Sequence, residues 1–517
     1  MTFALTRSII APVPRPGMCG RIAPALVAMC SMMPIIAASA SGSAEPGTSG
    51  AGISLDAAND HDSIGESLAV AQSDSETQQM KSASADPTGS NVQATETAPA
   101  ALTSYDAAKR YATLSPKGLN IELPRALDSV DGEAGGLRSW LADYGIGYFG
   151  MNVTNAANNV LPASSRGLNG VQQYNGQKFT VSNTSFLGVT YDLSRFGIPD
   201  GQLFVASELT RGTWAPTALQ KFGIGGATYY QTLFNRRVEL QLGYLANTWE
   251  FVNTTVGGSL ASSVFGPAGS IPIQGGMSNM VAPTPGVNVK FNLTDKWYAR
   301  LGVQRSLDPD GVQTEVNDNP SSLRWSMPNA GALYIGELGY QRSATTDAVQ
   351  EWIRAGGAYN TSRTKSYENP GTRVDHNDFY YLLADRQIWQ KSPAGVAARG
   401  LYVGASVMYA PPYANAASQY YELRLYGKGI FDSRPYDLMS IVLTDTVWGS
   451  DAIELSSRQG NLVHRDSKAV TVSYSARFTR GIYGSIGVGY VNHPTSIAYK
   501  LNTGSALNVL ANLSIFF

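Results

Sequence analysis

Tyr420, Glu422, Arg424, Tyr426 and Lys428 occupy every second position of one short run. Successive side chains alternate along an extended strand, so all five would project from one face. That face combines a planar fork of donors, an ammonium, a carboxylate acceptor and two aromatic rings. It can hold a polar, hydroxyl-bearing molecule by hydrogen bonds while a ring lies against its apolar edges. It has no general base beside a nucleophile, so its chemistry is recognition rather than bond-making. The four histidines, His61, His376, His464 and His493, stand in no Ser-His-Asp or metal-ligand spacing. No phosphate-binding, dinucleotide-binding or zinc signature occurs either. No catalytic residue, metal or cofactor is expected, and an enzyme is a minor reading.

Such a face needs a strand exposed on both sides to different surroundings. The C-terminus shows that pattern most plainly. Leu507, Val509, Ala511, Leu513, Ile515 and Phe517 share one side of a strand, with Asn508, Asn512 and Ser514 on the other. One side suits lipid and the other a wet interior. A terminal aromatic at the end of such a strand is also a signal to the barrel-assembly machinery, so that machinery is an expected partner through the Phe517 strand.

Composition agrees with a membrane barrel. Charged residues are 15% of the 517, against roughly a quarter in soluble domains, while Gly (53) and Tyr (27) are abundant. The formal net charge of −1 excludes a strongly basic nucleic-acid binder. Beyond the N-terminus no apolar run approaches the ~20 residues of a membrane helix, which is no obstacle to a barrel whose alternate residues face inward.

Residues 1–44 read as a secretory signal peptide, with Arg7, Arg15 and Arg21 ahead of an apolar stretch from Ile22 to Ala37. Both cysteines, Cys19 and Cys30, fall in it, so the exported chain would carry neither disulfide nor thiolate site. Residues 45–100 lack any aromatic side chain and read as a disordered periplasmic linker. Residues 101–144 are mixed. Tyr105, Ala108, Tyr111 and Ala112 allow one short helix, and Leu137, Trp140 and Leu141 a second, as a periplasmic cap.

From residue 145 to 517 the period is two. Strands are predicted at 145–157, 175–191, 201–214, 226–234, 236–248, 285–294, 296–306, 331–343, 351–365, 378–390, 399–410, 418–431, 437–450, 468–480, 482–492 and 506–517. The fold expected is all-β, a transmembrane antiparallel up-and-down barrel of sixteen strands behind a disordered N-terminal segment. Connections after even-numbered strands are short and those after odd ones mostly longer, as periplasmic turns and extracellular loops require. Trp249, Trp297, Trp352, Trp389, Tyr409, Tyr436 and Trp448 fall near strand ends and are expected in the aromatic girdles.

Several segments resemble the carbohydrate-selective porins of Gram-negative outer membranes. They are Gly135-Gly136-Leu137-Arg138 running into Asp143-Tyr144-Gly145-Ile146, Asp295-Lys296-Trp297-Tyr298, Gly336-Glu337-Leu338-Gly339-Tyr340, Tyr381-Leu382-Leu383-Ala384-Asp385, and the run from Lys428 through Asp432 and Pro435 to Asp437. The resemblance spans Gly135 to Phe517. It departs where Glu133-Ala134 replaces the family's usual Asp-Trp pair, and in a loop at 249–284 that is short of charge. It implies an outer-membrane channel for passive diffusion of small sugars, favoured as a monomer. The alternatives are a general-diffusion or polymer-export channel, and further off a barrel adhesin or enzyme.

The charged residues assigned to the lumen are Arg237, Lys290, Arg300, Arg354, Arg424, Lys428 and Arg477, with Glu208, Glu239, Glu337 and Glu422. Those expected to line a sugar-selective constriction are Arg300, Glu337, Arg354, Tyr420, Glu422, Arg424, Tyr426 and Lys428. For each, the competing role is a wall ladder of opposed charges that wets and stiffens the barrel. Arg434 and Asp437 are expected to brace the turn around Pro435.

Overall fold

Strand alternation closes into a ring. The computed structural model describes residues 104–120, 123–162, 172–214, 220–256, 270–501 and 503–517. The leader and linker segments proposed from the sequence lie outside them. The wall strands are β1 Ile146–Asn159, β2 Thr180–Asp192, β3 Gln202–Gly212, β4 Lys221–Leu233, β5 Val238–Leu245, β6 Thr284–Asn292, β7 Trp297–Arg305 and β8 Ala332–Arg342. They continue as β9 Glu351–Asn360, β10 Asn377–Gln390, β11 Gly400–Tyr409, β12 Ala417–Lys428, β13 Leu438–Trp448, β14 Asp466–Thr479, β15 Ile482–Asn492 and β16 Ala506–Phe516. Each pairs antiparallel with its sequence neighbour, and β1 meets β16 from Met151 opposite Phe516 to Asn159 opposite Asn508. The ring itself therefore has no edge strand.

The order and number of strands match the sequence reading. Two ends differ. The strand predicted to run to 365 stops at Asn360, and Thr364–Lys365 pairs instead with Arg373–Val374 in a small loop hairpin. The strand predicted to run to 248 stops at Leu245, where the chain turns into helix α3, Asn247–Phe251.

Alternation sorts the side chains as expected. Leu301, Leu338, Leu382, Leu423 and Leu443 are exposed on the outer face. Arg300, Glu337, Arg354, Glu422 and Arg424 are buried on the inner one. The girdle assignment holds for Trp297, Trp389 and Tyr409, all exposed outside. It fails for three tryptophans. Trp249 sits on α3 and is 4% exposed, Trp448 shares the inward parity of Val442 and is equally buried, and Trp352 shares the parity of Arg354. A strand end fixes depth but not face.

Two further helices, α1 Ser104–Leu114 and α2 Leu137–Asp143, stand at the end of the barrel that carries the short turns. Arg110 pairs with Asp143, and Arg195 of the β2–β3 turn donates to the Asp143 carbonyl at 2.8 Å. Both helices fall where the sequence allowed them.

Candidate functional site

Three pieces of chain meet inside the ring: the inner wall of β7–β12, a loop folded in from the opposite end, and a strap between α1 and α2. Register sets the wall. Glu239, Lys290, Arg300, Glu337, Gly356 and Tyr381 are successive cross-strand partners from β5 to β10. Lys290 pairs with Glu239 at 3.1 Å. Arg300 and Glu337, although directly opposed, turn to other partners. Glu337 accepts the hydroxyls of Tyr298 and Tyr381, each at 2.9 Å. Arg300 donates to the Glu250 carbonyl on α3 and, at 3.2 Å, to Oδ1 of Asn120 on the strap.

The two tyrosines lie flat because two wall positions carry no side chain. A Cβ at Gly339 would overlap the Tyr298 ring, and one at Gly356 the Tyr381 ring. Close approach of this kind is what glycine permits inside a strand.

Arg354 lies in the next register row, opposite Gly339 on β8 and Leu383 on β10. Its guanidinium is 3.6 Å from the centre of the Trp352 ring, whose Nε1 donates to the Tyr298 hydroxyl at 3.1 Å. Arg354 is 2% exposed, and among the described residues neither Nη1 nor Nη2 has a hydrogen-bond partner.

Arg424 on β12 has the opposite situation. Its Nη2 donates to Asp385 Oδ2 at 2.9 Å and to the Ala384 carbonyl at 3.1 Å, while Nη1 donates to Ser406 Oγ at 2.5 Å and to Glu422. Tyr426 donates to the other Asp385 oxygen at 3.0 Å, and Tyr420 to Glu422 at 2.6 Å. The Tyr402 and Tyr426 rings stack at 5.0 Å, with the Lys428 ammonium 4.8 Å from the centre of the Tyr402 ring. Tyr420, Glu422, Arg424, Tyr426 and Lys428 thus share one face, as their spacing implied. Asp385 was not among the expected site residues, yet it shares the inward parity of Tyr381 within a segment already singled out.

The inward loop runs between β5 and β6 and carries α3 and a second short helix, α4 Ser270–Gln274. Asn247 donates to Gln304 and accepts from Asn288, each at 2.7 Å, which ties α3 to β6 and β7. Gln274 exchanges two hydrogen bonds with the backbone of Ala417 on β12, and Asn360 donates to the Gly275 carbonyl at 2.8 Å. The loop therefore spans from β6 to β12 across the inside of the ring. Its apolar members, Phe251, Val252, Ile271 and Met277, pack against Leu333, Ile335 and Phe379 of the wall.

The strap is the part the sequence did not reveal. Ser115 accepts from Gln202 at 3.0 Å, Lys117 reaches the Asp200 carbonyl at 3.2 Å, and Leu119 and Leu123 pack with the cluster around Phe186, Phe204 and Trp249. Asn120 donates to the Glu250 carbonyl. Asp128 then receives Arg477 of β14 at 2.9 Å, and Val130 donates to the Phe516 carbonyl at 2.9 Å. Pro116 and Gly118 break any helical or strand period here, so no pattern announced it.

One other lumen assignment fails and one gains a partner. Arg237 lies exposed in the β4–β5 turn rather than on the wall. Glu208 finds its partner in Lys221, which the sequence reading left out, 3.7 Å away with both side chains fully buried. Arg434 does brace its turn, donating to Asp437 at 2.7 Å.

A closed sixteen-stranded barrel with an apolar outer face, a charged inner wall and a loop folded into the ring defines a porin of the bacterial outer membrane. The family model described as carbohydrate-selective porin, OprB family, matches residues 224–503, more than half of the chain, and the chain belongs to that family. The high-pH structure of OprB from Pseudomonas putida is 17% identical with a TM-score of 0.65, covering 75% of this chain and 98% of that one, a likeness of fold. QuiX of Acinetobacter baylyi, which carries a provisional porin designation, is 27% identical over 164 residues. That match takes in 31% of this chain and 36% of QuiX, about a third of the relative's length.

Proposed function

We propose that the chain is a passive, carbohydrate-selective porin, and that small sugars pass through the space left between the inner wall, the inward loop and the strap. Arg354 carries the reading. A buried guanidinium with both terminal nitrogens unspent suits a pair of neighbouring hydroxyls, and the Trp352 ring beside it suits the C–H face of a sugar. Glu337, fixed by two tyrosine hydroxyls, supplies an acceptor in the adjoining register row. Arg300 joins them from β7, and Tyr420, Tyr426 and Lys428 extend the lining along β12. Arg424 and Glu422 hold that wall together. A loop and a strap sharing one lumen weigh against a polymer-export pore.

In this reading residues 1–44 are the signal peptide, 45–100 a periplasmic linker and 101–144 a periplasmic cap. The Phe517 strand is what the assembly machinery engages. The decisive experiment is single-channel conductance of the purified protein in a planar bilayer, titrated with glucose, disaccharides and a polyol of similar size. Saturable block by particular sugars is expected. Equal reduction by every solute would replace the proposal with a general-diffusion pore.

A further inference from the structure

The loop between β7 and β8 crosses the wall of the ring. Its helix α5, Val312–Asp318, starts inside, where Val312 and Val316 pack with Trp249, Met280 and Val281. Glu315 fixes the exit, accepting from both terminal nitrogens of Arg305 and from the Asn319 side-chain amide, each at 2.8 Å. The chain then passes over β4. A Cβ at Gly223, which opposes Glu208 and shares its inward side, would overlap the Pro320 carbonyl. The Ser321 carbonyl accepts from the Ile224 amide at 3.2 Å, and the Leu323 carbonyl from the hydroxyl of Tyr244, on the outward side with Leu242, at 2.8 Å.

The passage exists because β5 is short. β4 pairs with β5 only from Leu233 to Ala227, opposite Tyr244, since the chain beyond Leu245 turns inward. From Gly226 to Lys221 β4 has only β3 as a strand neighbour, and the loop fills the vacancy. What it lays on the outside is apolar. Leu323 is 54% exposed and Trp325 75%, and Phe222 at the same end of β4 is 73% exposed. At this end of β8–β11 the outward residues are Tyr334, Tyr359, Tyr380 and Tyr409, a girdle that the loop continues where β5 falls short. Two cations accompany the patch. Arg324 stands between Leu323 and Trp325, and Arg211 is the next outward residue of β3 beyond Leu209, which opposes Phe222. Both are exposed, and neither pairs with a carboxylate among the described residues.

We propose that the turn from Asn319 to Trp325 and the adjoining outer face of β3 and β4 bind a phosphorylated glycolipid of the outer leaflet. Its acyl chains would lie against Phe222, Leu323 and Trp325 and its phosphates at Arg211 and Arg324. Position selects this occupant. The patch is at the end of the ring away from the short turns and continues the lipid-facing belt, which leaves no room for a soluble partner. Guanidinium groups at that height match phosphate in both charge and fork geometry. Nothing in this depends on which solute the pore takes.

The test uses the purified full chain in detergent micelles, titrated with lipid A or with phosphatidylglycerol. Trp325 emission is read as the difference between the parent and Trp325→Phe. A saturable blue shift with loss of acrylamide quenching is expected on adding lipid A, at concentrations where phosphatidylglycerol has little effect. Arg211→Ala with Arg324→Ala should raise the lipid A concentration for half the shift about 10- to 30-fold, as two basic residues at an anionic lipid surface imply. Heat-modifiable mobility should persist, because every altered side chain is exposed. An equal response to phosphatidylglycerol, a response untouched by the arginine changes, or no response would overturn glycolipid binding. Should the double arginine variant fail to fold, the comparison of the two lipids still decides.

Discussion

Arg424 and Arg354 lie on the same inner wall, in adjoining register rows, and are equally buried, yet their guanidinium groups are used in opposite ways. Both terminal nitrogens of Arg424 are taken, by Asp385 and the Ala384 carbonyl of β10, Ser406 of β11 and Glu422 of its own strand. Arg354 rests on an indole and leaves two nitrogens unbonded. A buried polar group without a partner costs about 1–3 kcal/mol. At Arg354 both terminal nitrogens carry that cost, whereas at Arg424 only Nε does. The contrast separates a brace from a place kept open for something that enters.

The largest expected effect would break the brace. Arg424→Ala leaves Asp385 and Glu422 buried without their cation and should cost about 3–5 kcal/mol of barrel stability, read from urea unfolding of the refolded protein in vesicles. Arg354→Ala should cost little in the same assay. Equal losses would erase the distinction.

The next largest concerns the solute. Arg354→Ala should weaken saturable sugar block by about 10- to 100-fold, the worth of about 1.5–3 kcal/mol for a hydrogen bond to a charged group. Gel mobility should be unaltered, and an unchanged block would take Arg354 out of the path. Sugar affinity measured on whatever Arg424→Ala folds sharpens the contrast, since it should fall less than with Arg354→Ala.

A smaller effect is expected at the strap. Asn120→Ala removes the neutral bond to the Glu250 carbonyl, worth about 0.5–1.5 kcal/mol, and the long 3.2 Å bond that it accepts from the Arg300 guanidinium. Noisier and higher single-channel conductance should follow. Conductance like that of the parent would mean that Leu119 and Leu123 seat the strap unaided.

The smallest lies far from both arginines. In the loop between β13 and β14, His464 stacks on His493 at 4.7 Å and on Tyr499 at 5.3 Å, and its Nε2 meets the Thr495 carbonyl at 3.1 Å. Burial holds its pKa below the ordinary histidine value, against the opposing pull of the Thr495 carbonyl. A depressed pKa favours the neutral ring in the fold. The contribution is therefore present above the unfolded value of about 6.5 and is lost as pH falls through the folded one. Amide protection of residues 462–466 should drop at about pH 5 relative to about pH 7.5, with sugar block unaffected. Block that tracks this loop would show the two regions to be coupled.

Much of this arrangement is visible in the sequence because a barrel has one rule. Alternation gave the sixteen strands, the inward row from Tyr420 to Lys428 and the sidedness of the connections. Applied one residue at a time, the same rule would also have turned Trp352 inward with Arg354 and added Asp385 to the wall. What alternation cannot supply is cross-strand register. Whether Arg424 meets Asp385 depends on the shared height of Gly404 between them. Whether Arg354 meets an acid depends on Gly339 and Leu383 being its neighbours. Arg237 was misplaced because the turn already begins at Phe234, whose backbone has a positive φ. The strap has no period at all, and its position follows from individual contacts.

The strap enters beside the β2–β3 turn and leaves beside Phe516 and the β14–β15 turn, so both of its ends are at one mouth of the ring. It is tucked in like the slack of a cord, not drawn through like a thread through a needle. No chain end has to cross the lumen, so the ring can close from β1 to β16 before the strap is seated, and the strap can withdraw without unzipping any strand.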